Sequence, residues 1–126
     1  MPNQFSRTEI LIGKEGVAKL KDSKVAIFGI GGVGSYVAEA LVRAGVGSFI
    51  LVDNDVVSLT NINRQLIATH STIGQYKVDV AKERILDINP KTKVKIYKEF
   101  FMPDSKKKII TEDVDYVVDC IDTVTR

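Results

Sequence analysis

Apolar residues fall along the chain in short blocks that alternate between two periods. Ser23 to Ile30 (SKVAIFGI) is a continuous, partly β-branched run ending in glycines, the pattern of a strand buried on both faces of a parallel sheet. Val33, Val37, Ala40, Leu41 and Ala44 then recur at helical spacing as far as Gly45 and Gly47, which suit a helix stop. Ser48 to Asp53 (SFILVD) is a second apolar run, so Ser23 to Asp53 reads as a βαβ unit with parallel strands. Helical spacing returns from Gly74 to Ile88 (Val78, Ala81, Ile85, Ile88). Asn89 and Pro90 close it, because the residue before a proline disfavours the helical region. Val94, Ile96 and Phe100 alternate with Lys95 and Glu99, which predicts a half-exposed strand near a sheet edge. Pro103 and Asp104 can open a short helix, and Val114 to Cys120 (VDYVVDC) returns as an apolar strand.

Ahead of the first strand, Asn3 to Asp22 is polar with an amphipathic stretch (Ile10, Val17, Leu20), which predicts helix covering a sheet edge or a partner subunit. The whole pattern predicts an α/β, Rossmann-like doubly wound sheet, mainly parallel, with a helical segment over 1–22 and a single domain over 1–126. The chain stops at Arg126, a few residues past its fourth strand, where such a sheet normally continues; a truncated protein or half-domain is expected.

Composition narrows this picture only a little. With 126 residues the chain is long enough for one ordinary core. Its 18 basic against 16 acidic residues lack the excess that a polyelectrolyte partner imprints, so nucleic acid is neither demanded nor excluded. No apolar run approaches the roughly 18 residues of a membrane span, and Met1 to Thr8 lacks the pattern of a leader, so a cytoplasmic protein is expected. One cysteine, Cys120, can form neither an internal disulfide nor a cysteine cage for a metal.

The chemistry begins at Gly29-Ile30-Gly31-Gly32-Val33-Gly34, a GxGxxG turn between strand and helix. Glycines there allow a tight turn and a close approach of backbone to phosphate, and the helix start offers free N–H groups and the positive end of a dipole. Close strand and helix packing alone would also call for such glycines. Asp53, at the end of the second strand, is where the ribose-binding acid of a dinucleotide site is expected. To this point an NAD-binding domain and an ATP-binding relative explain the residues equally well.

The next segment separates them. From Asp53 to Gln65 runs a long polar loop that an NAD domain has no evident use for. Its Asn63 and Arg64, with Lys77 in the first turn of the next helix, can hold a triphosphate and stabilise charge at its α-phosphate. A magnesium ion on those phosphates would want a carboxylate at the end of a strand on the same sheet edge. Asp119 and Asp122 are placed for that, and Asp122, beyond the apolar run, is the better candidate.

GIGGVG, LVDNDVVSLTNINRQ, GQYKVDVAKERILDINP and DCIDT together resemble the ATP-dependent adenylating family that includes ubiquitin-activating enzymes and the adenylyltransferases of molybdopterin and thiamine synthesis. The resemblance covers nearly the whole chain. Within the family, Thr60 to Gln65, the helix start and Glu99 to Asp104 look most like the branch that dehydrates threonylcarbamoyladenosine in tRNA. The resemblance implies that Gly29, Gly31, Gly32, Val33 and Gly34 lie along the phosphates of ATP and that Asp53 binds the ribose. It further implies that Asp55, Asn61, Asn63, Arg64, Gln65 and Lys77 complete the nucleotide site and that Asp122 holds Mg2+. Arg7 matches an arginine donated across a homodimer to the partner's ATP, so Arg7, Arg64, Lys77 and Asp122 are the expected catalytic set. The implied reaction is AMP transfer to a carboxylate, with tRNA as substrate or, alternatively, the C-terminus of a ubiquitin-like or sulfur-carrier protein. A non-catalytic nucleotide-binding module and an NAD-dependent oxidoreductase are the other readings.

Two features depart from the family. Its members continue for another half-domain that carries the acceptor surface, and Thr123 stands where relatives often have Asn. Three further features read as structural: Cys120 as a small hydrophobe, His70 as a loop polar residue, and Lys106 to Lys108 as a solvated basic run.

Overall fold

The computed structural model describes residues 2–99 and 113–121. Helix α1 (Ser6–Lys21) precedes strand β1 (Lys24–Phe28), α2 (Gly32–Ala44), β2 (Ser48–Val52), α3 (Lys77–Ile88), β3 (Lys93–Tyr97) and β4 (Tyr116–Asp119). The strands form one parallel sheet in the order β3-β2-β1-β4. That order reverses at β1, so a crevice is defined at the carboxyl ends of β1 and β4, where open α/β sheets bind ligands. The predicted Rossmann-like pattern of strands and helices is the one observed.

Alternation along the strands sorts the core onto two faces. Val25, Ile27, Phe49 and Leu51 form one cluster with Ala38 and Val42 of α2 and with Val78, Ala81 and Ile85 of α3. Ala26, Phe28, Ile50 and Val52 form a smaller cluster on the other face, none more than 1% exposed. β1 and β2 are therefore apolar throughout because they are central, whereas β3 lies at an edge and alternates: Lys93 and Lys95 are exposed, Val94 and Ile96 half-buried. Each large side chain buried in this way contributes about 1.5–3 kcal/mol.

Element limits differ from expectation in two places. The helix expected from Gly74 starts at Lys77, because Gly74 takes a left-handed φ of 90° and residues 74–77 pair with the loop before them instead. Gly74 N–H bonds to Val57 O, Val57 N–H to Gln75 O, and Lys77 N–H to Asp55 O. The strand expected to reach Phe100 ends at Tyr97. Phe100, the helix at Pro103 and Asp104, Lys106 to Lys108, Asp122 and Thr123 lie outside the described residues.

Helix α1 does not run along a sheet edge. Gly13, with φ 78° and ψ 169°, breaks it. Phe5 and Leu20 both come within 4.0 Å of where a Cβ on Gly45 would stand, so the two halves fold back towards the turn after α2. Leu20 packs on the core and its carbonyl accepts Gly47 N–H at 3.1 Å, while Gln4 donates to the Ile88 carbonyl at the end of α3. Ile10 and Leu11, at the far end of this fold-back, are 82% and 85% exposed.

The helices over the larger core are also joined by charge. Glu39 of α2 accepts hydrogen bonds from Arg84 of α3 and from Arg43 one turn along its own helix. The bond from Arg84 holds the Glu39 carboxyl below its ordinary value of 4.5 against the upward push of burial, with Arg43 adding to the lowering. A depressed folded-state value stabilises the fold above the unfolded value and loses that stabilisation as pH falls through the folded one. Glu39→Gln should therefore destabilise the protein at pH 7, with a penalty that shrinks as pH drops below 4.5. Urea unfolding across that range checks this; an equal penalty at both ends would refute it.

Candidate functional site

The carboxyl ends of β1, β2 and β4 and the amino ends of α2 and α3 meet on one side of the sheet, and almost every described residue singled out in the sequence lies there. At the end of β1, Gly29 turns with φ 95°, a left-handed value that suits glycine. A Cβ there would come 2.7 Å from the Cys120 carbonyl oxygen after β4. A Cβ on Gly34 would overlap the Gly29 carbonyl oxygen. These two glycines let the turn pass between α2 and the end of β4. Beyond them, the N–H groups of Gly31, Gly32, Val33 and Gly34 have no partner among the described residues. They sit at a helix start, where the dipole favours an anion.

Asp53 is 7% exposed, and both its carboxylate oxygens are engaged. Oδ2 accepts Ile30 N–H of the glycine turn at 2.7 Å, and Oδ1 accepts Asp55 N–H at 2.8 Å. The residue expected at the ribose is thus also the post that fixes the glycine turn to the end of β2. From it a line of contacts runs on to α3: the Asp55 carbonyl accepts Lys77 N–H at 3.0 Å, and Asp55 Oδ2 stands 3.9 Å from Lys77 Nζ. Lys77 is 6% exposed, the Asp55 side chain 66%. With its stem buried and only a remote, solvated carboxylate near Nζ, Lys77 can take up a further anion.

The polar loop closes over the glycine turn. Ser58 and Asn61 build its first bend, with Asn61 Oδ1 accepting Ser58 N–H at 2.9 Å, so Asn61, only 8% exposed, serves the loop itself. The Arg64 carbonyl and side chain lie beside Gly32, and Gln65 Nε2 lies beside Gly31. Gln65 is 7% exposed, and its Oε1 is buried without a hydrogen-bond partner. The exposed Arg64 guanidinium rests on the Thr60 carbonyl and Asn63 Oδ1, at 2.9 and 3.1 Å, so Asn63 and Arg64 sit together at the rim. Ser35, not singled out in the sequence, ties this loop to α2 by accepting Leu66 N–H at 3.2 Å. A hydroxyl directly after the last glycine of the motif was the signal that could have found it.

Other candidates stand apart. Arg7 is exposed on α1, two residues from Phe5, whose ring lies at the Gly45 end of α2. That end is a helix length, about 20 Å, from the glycine turn, so one chain does not bring Arg7 to the site. Asp119 ends β4, with Oδ1 accepting Ile121 N–H. Burial pushes the Cys120 thiol above its ordinary value and Asp119 adds to this, which disfavours a thiolate. His70 is exposed in the loop before α3. Among the described residues no group of three His, Cys, Asp or Glu could hold a metal by itself, and no helix is long and apolar enough to cross a membrane.

A glycine turn braced by an acid after β2, with a lysine heading α3, belongs to a recognisable class: the profile of the ThiF family matches residues 5–126, and the chain belongs to that family. Within it the chain is 52% identical over 124 residues to the tRNA threonylcarbamoyladenosine dehydratase of Bacillus subtilis, covering 98% of this chain and 49% of that protein. It superimposes with a TM-score of 0.93 on the crystal structure of the Escherichia coli tRNA N6-threonylcarbamoyladenosine dehydratase in complex with ATP. The identity there is 40%, over 96% of this chain and 50% of the other. The molybdopterin-synthase adenylyltransferase of Escherichia coli is 37% identical over 96% of this chain and 49% of its own. The chain spans about half the length of these relatives.

If Asp53 braces the glycine turn, Asp53→Ala strands the buried Ile30 N–H and should cost about 1–3 kcal/mol with no nucleotide present. Arg64→Ala at the exposed rim should change stability by less than about 0.5 kcal/mol. Urea unfolding of the two variants side by side measures the contrast.

Proposed function

We propose that this chain is the ATP-binding part of an enzyme that transfers AMP to a substrate carboxylate, and that the carboxylate is that of threonylcarbamoyladenosine in tRNA. The observation that carries this is the loosely paired Lys77, its stem buried at the start of α3, linked through Asp55 and Asp53 to a glycine turn with free N–H groups. The likeness to an ATP-bound dehydratase over 96% of the chain supports the choice of nucleotide and substrate. On this reading the free N–H groups of α2 and the side chains of Asn63, Arg64, Gln65 and Lys77 bind the phosphates, and Asp53 and Asp55 the ribose side.

The substrate carboxylate oxygen attacks the α-phosphorus and pyrophosphate leaves, giving an acyl adenylate. Attack on the activated acyl group from within the same nucleoside then closes a ring and expels AMP, with net loss of water. Arg64 and Lys77 stabilise the charge that develops at the α-phosphate, and holding the reactants together supplies much of the rest. Magnesium fits this donor set, because it is bound largely by substrate phosphates and asks for only one or two carboxylates. Asp122 would hold it, and it would neutralise charge on the phosphates. Arg7 acts across a homodimer, a reading supported by its distance from the glycine turn in its own chain. A tRNA substrate is consistent with a cytoplasmic enzyme.

Calorimetry should find ATP binding that depends on magnesium and is preferred over NAD, weakened about tenfold or more by Lys77→Ala and by Asp122→Asn. Preference for NAD, or indifference to both substitutions, would overturn the nucleotide site. Release of AMP and pyrophosphate in the presence of tRNA carrying the modified nucleoside is expected of the full-length protein. Release only with the C-terminus of a ubiquitin-like or sulfur-carrier protein would move the chain to the branch of its molybdopterin relative.

A further inference from the structure

The two helices whose amino ends border the candidate site are joined by one ionic cluster, and it stands at the same depth on both. Glu39 lies seven residues beyond Gly32, which opens α2, and Arg84 seven residues beyond Lys77, which opens α3. Seven residues are about two turns, or roughly 10.5 Å along each axis. Arg84 grips both oxygens of the Glu39 carboxylate, Nε to Oε1 at 2.5 Å and Nη2 to Oε2 at 3.2 Å, and Arg43 Nε donates to Oε2 at 2.6 Å. The Glu39 side chain is 15% exposed and that of Arg84 43%, so the cluster lies at the helix surface and its two-pronged geometry, not burial, is what distinguishes it. A two-pronged guanidinium–carboxylate contact fixes direction as well as distance.

Away from Gly34, Ser35 and Lys77 at the site, the buried residues of the two helices are apolar, Ala38 and Val42 on α2 and Val78, Val80, Ala81 and Ile85 on α3. Apolar packing is non-directional and by itself allows small rotations. A tilt of about 5° pivoting at the cluster would move a helix start by roughly 1 Å over that lever, and a misplacement of that size at a reacting group can cost up to about a hundredfold.

We propose that Glu39 and Arg84 are positioning residues that fix the separation between the glycine turn and Lys77, and so gauge the site for a triphosphate. The inference rests on the reading that ATP occupies this site. It predicts a loss confined to ligands that touch both helix starts. AMP, with one phosphate, spans less of that gap than ATP.

The test compares magnesium-ATP and AMP affinities of wild type, Glu39→Gln, Arg84→Lys and, as a packing control, Val42→Ala, each with its unfolding temperature. Glu39→Gln and Arg84→Lys are expected to weaken ATP about tenfold and AMP less than about threefold. Val42→Ala lowers the unfolding temperature while leaving the ratio of the two affinities unchanged. An unchanged ratio in the two cluster variants, or the same shift in Val42→Ala, would overturn the proposal. Arg84→Lys keeps the charge, so it decides the question should Glu39→Gln fail to fold. A wild type that does not bind ATP would overturn the nucleotide reading itself, a distinct result that removes the ground for this inference.

Discussion

The carboxylate of Asp53 bonded to the backbone of Ile30 is the contact on which the rest of the site depends. It joins the ends of two parallel strands that otherwise diverge into separate loops, and it is buried, so nothing in water competes for it. Through its second oxygen the same carboxylate sets the start of the polar loop, whose Asp55 carbonyl then receives the first N–H of α3. The turn between β1 and α2 and the start of α3 are thereby referenced to one side chain. A carboxylate accepting two backbone N–H groups makes strong, charge-assisted bonds, which suits a post that two loops share.

Opposite this post, β4 limits the glycine turn from the other side. Gly29 and Gly34 pass so close to Cys120 and to one another that a single methyl group at either would force backbone to move. The strand order reverses here, with β1 standing between β2 and β4, the place where open α/β sheets form a crevice. The donors left free at the start of α2 lie in that crevice, and the loop containing Arg64 and Gln65 covers it. Small residues are needed where three segments of main chain converge, and the anion-binding character of the place follows from the same requirement.

Charge is arranged in two tiers. Near the crevice, Lys77 has a buried stem and only a distant, solvated aspartate near Nζ, a state that favours binding of an anion. Two helical turns further in, Glu39 and Arg84 are fully paired. Paired charge rigidifies, and under-paired charge binds; the proposed nucleotide site would use both, and here they sit on the same two helices. Exposed apolar residues at the fold-back of α1 lie at the opposite end of α2 from the glycine turn, as does Arg7.

Much of this was legible along the chain. The β1–α2–β2 unit, the parallel sheet, the edge character of β3 and the gathering of Gly29 to Gly34, Asp53, Arg64 and Lys77 at one end of the sheet follow from period, residue type and spacing, because local geometry permits few alternatives there. Other features came only from packing in three dimensions. Gly74 begins a turn instead of a helix because its neighbours pair with Val57, a partner 17 positions away. Gly13 folds α1 back on itself, and no pattern of hydrophobicity marks that. Asn61 and Asp53 are spent largely on holding loops, and the Glu39–Arg84 bond joins residues 45 positions apart. Periodicity records which face of an element is buried; which partner lies against that face, and at what distance, is decided when the elements assemble.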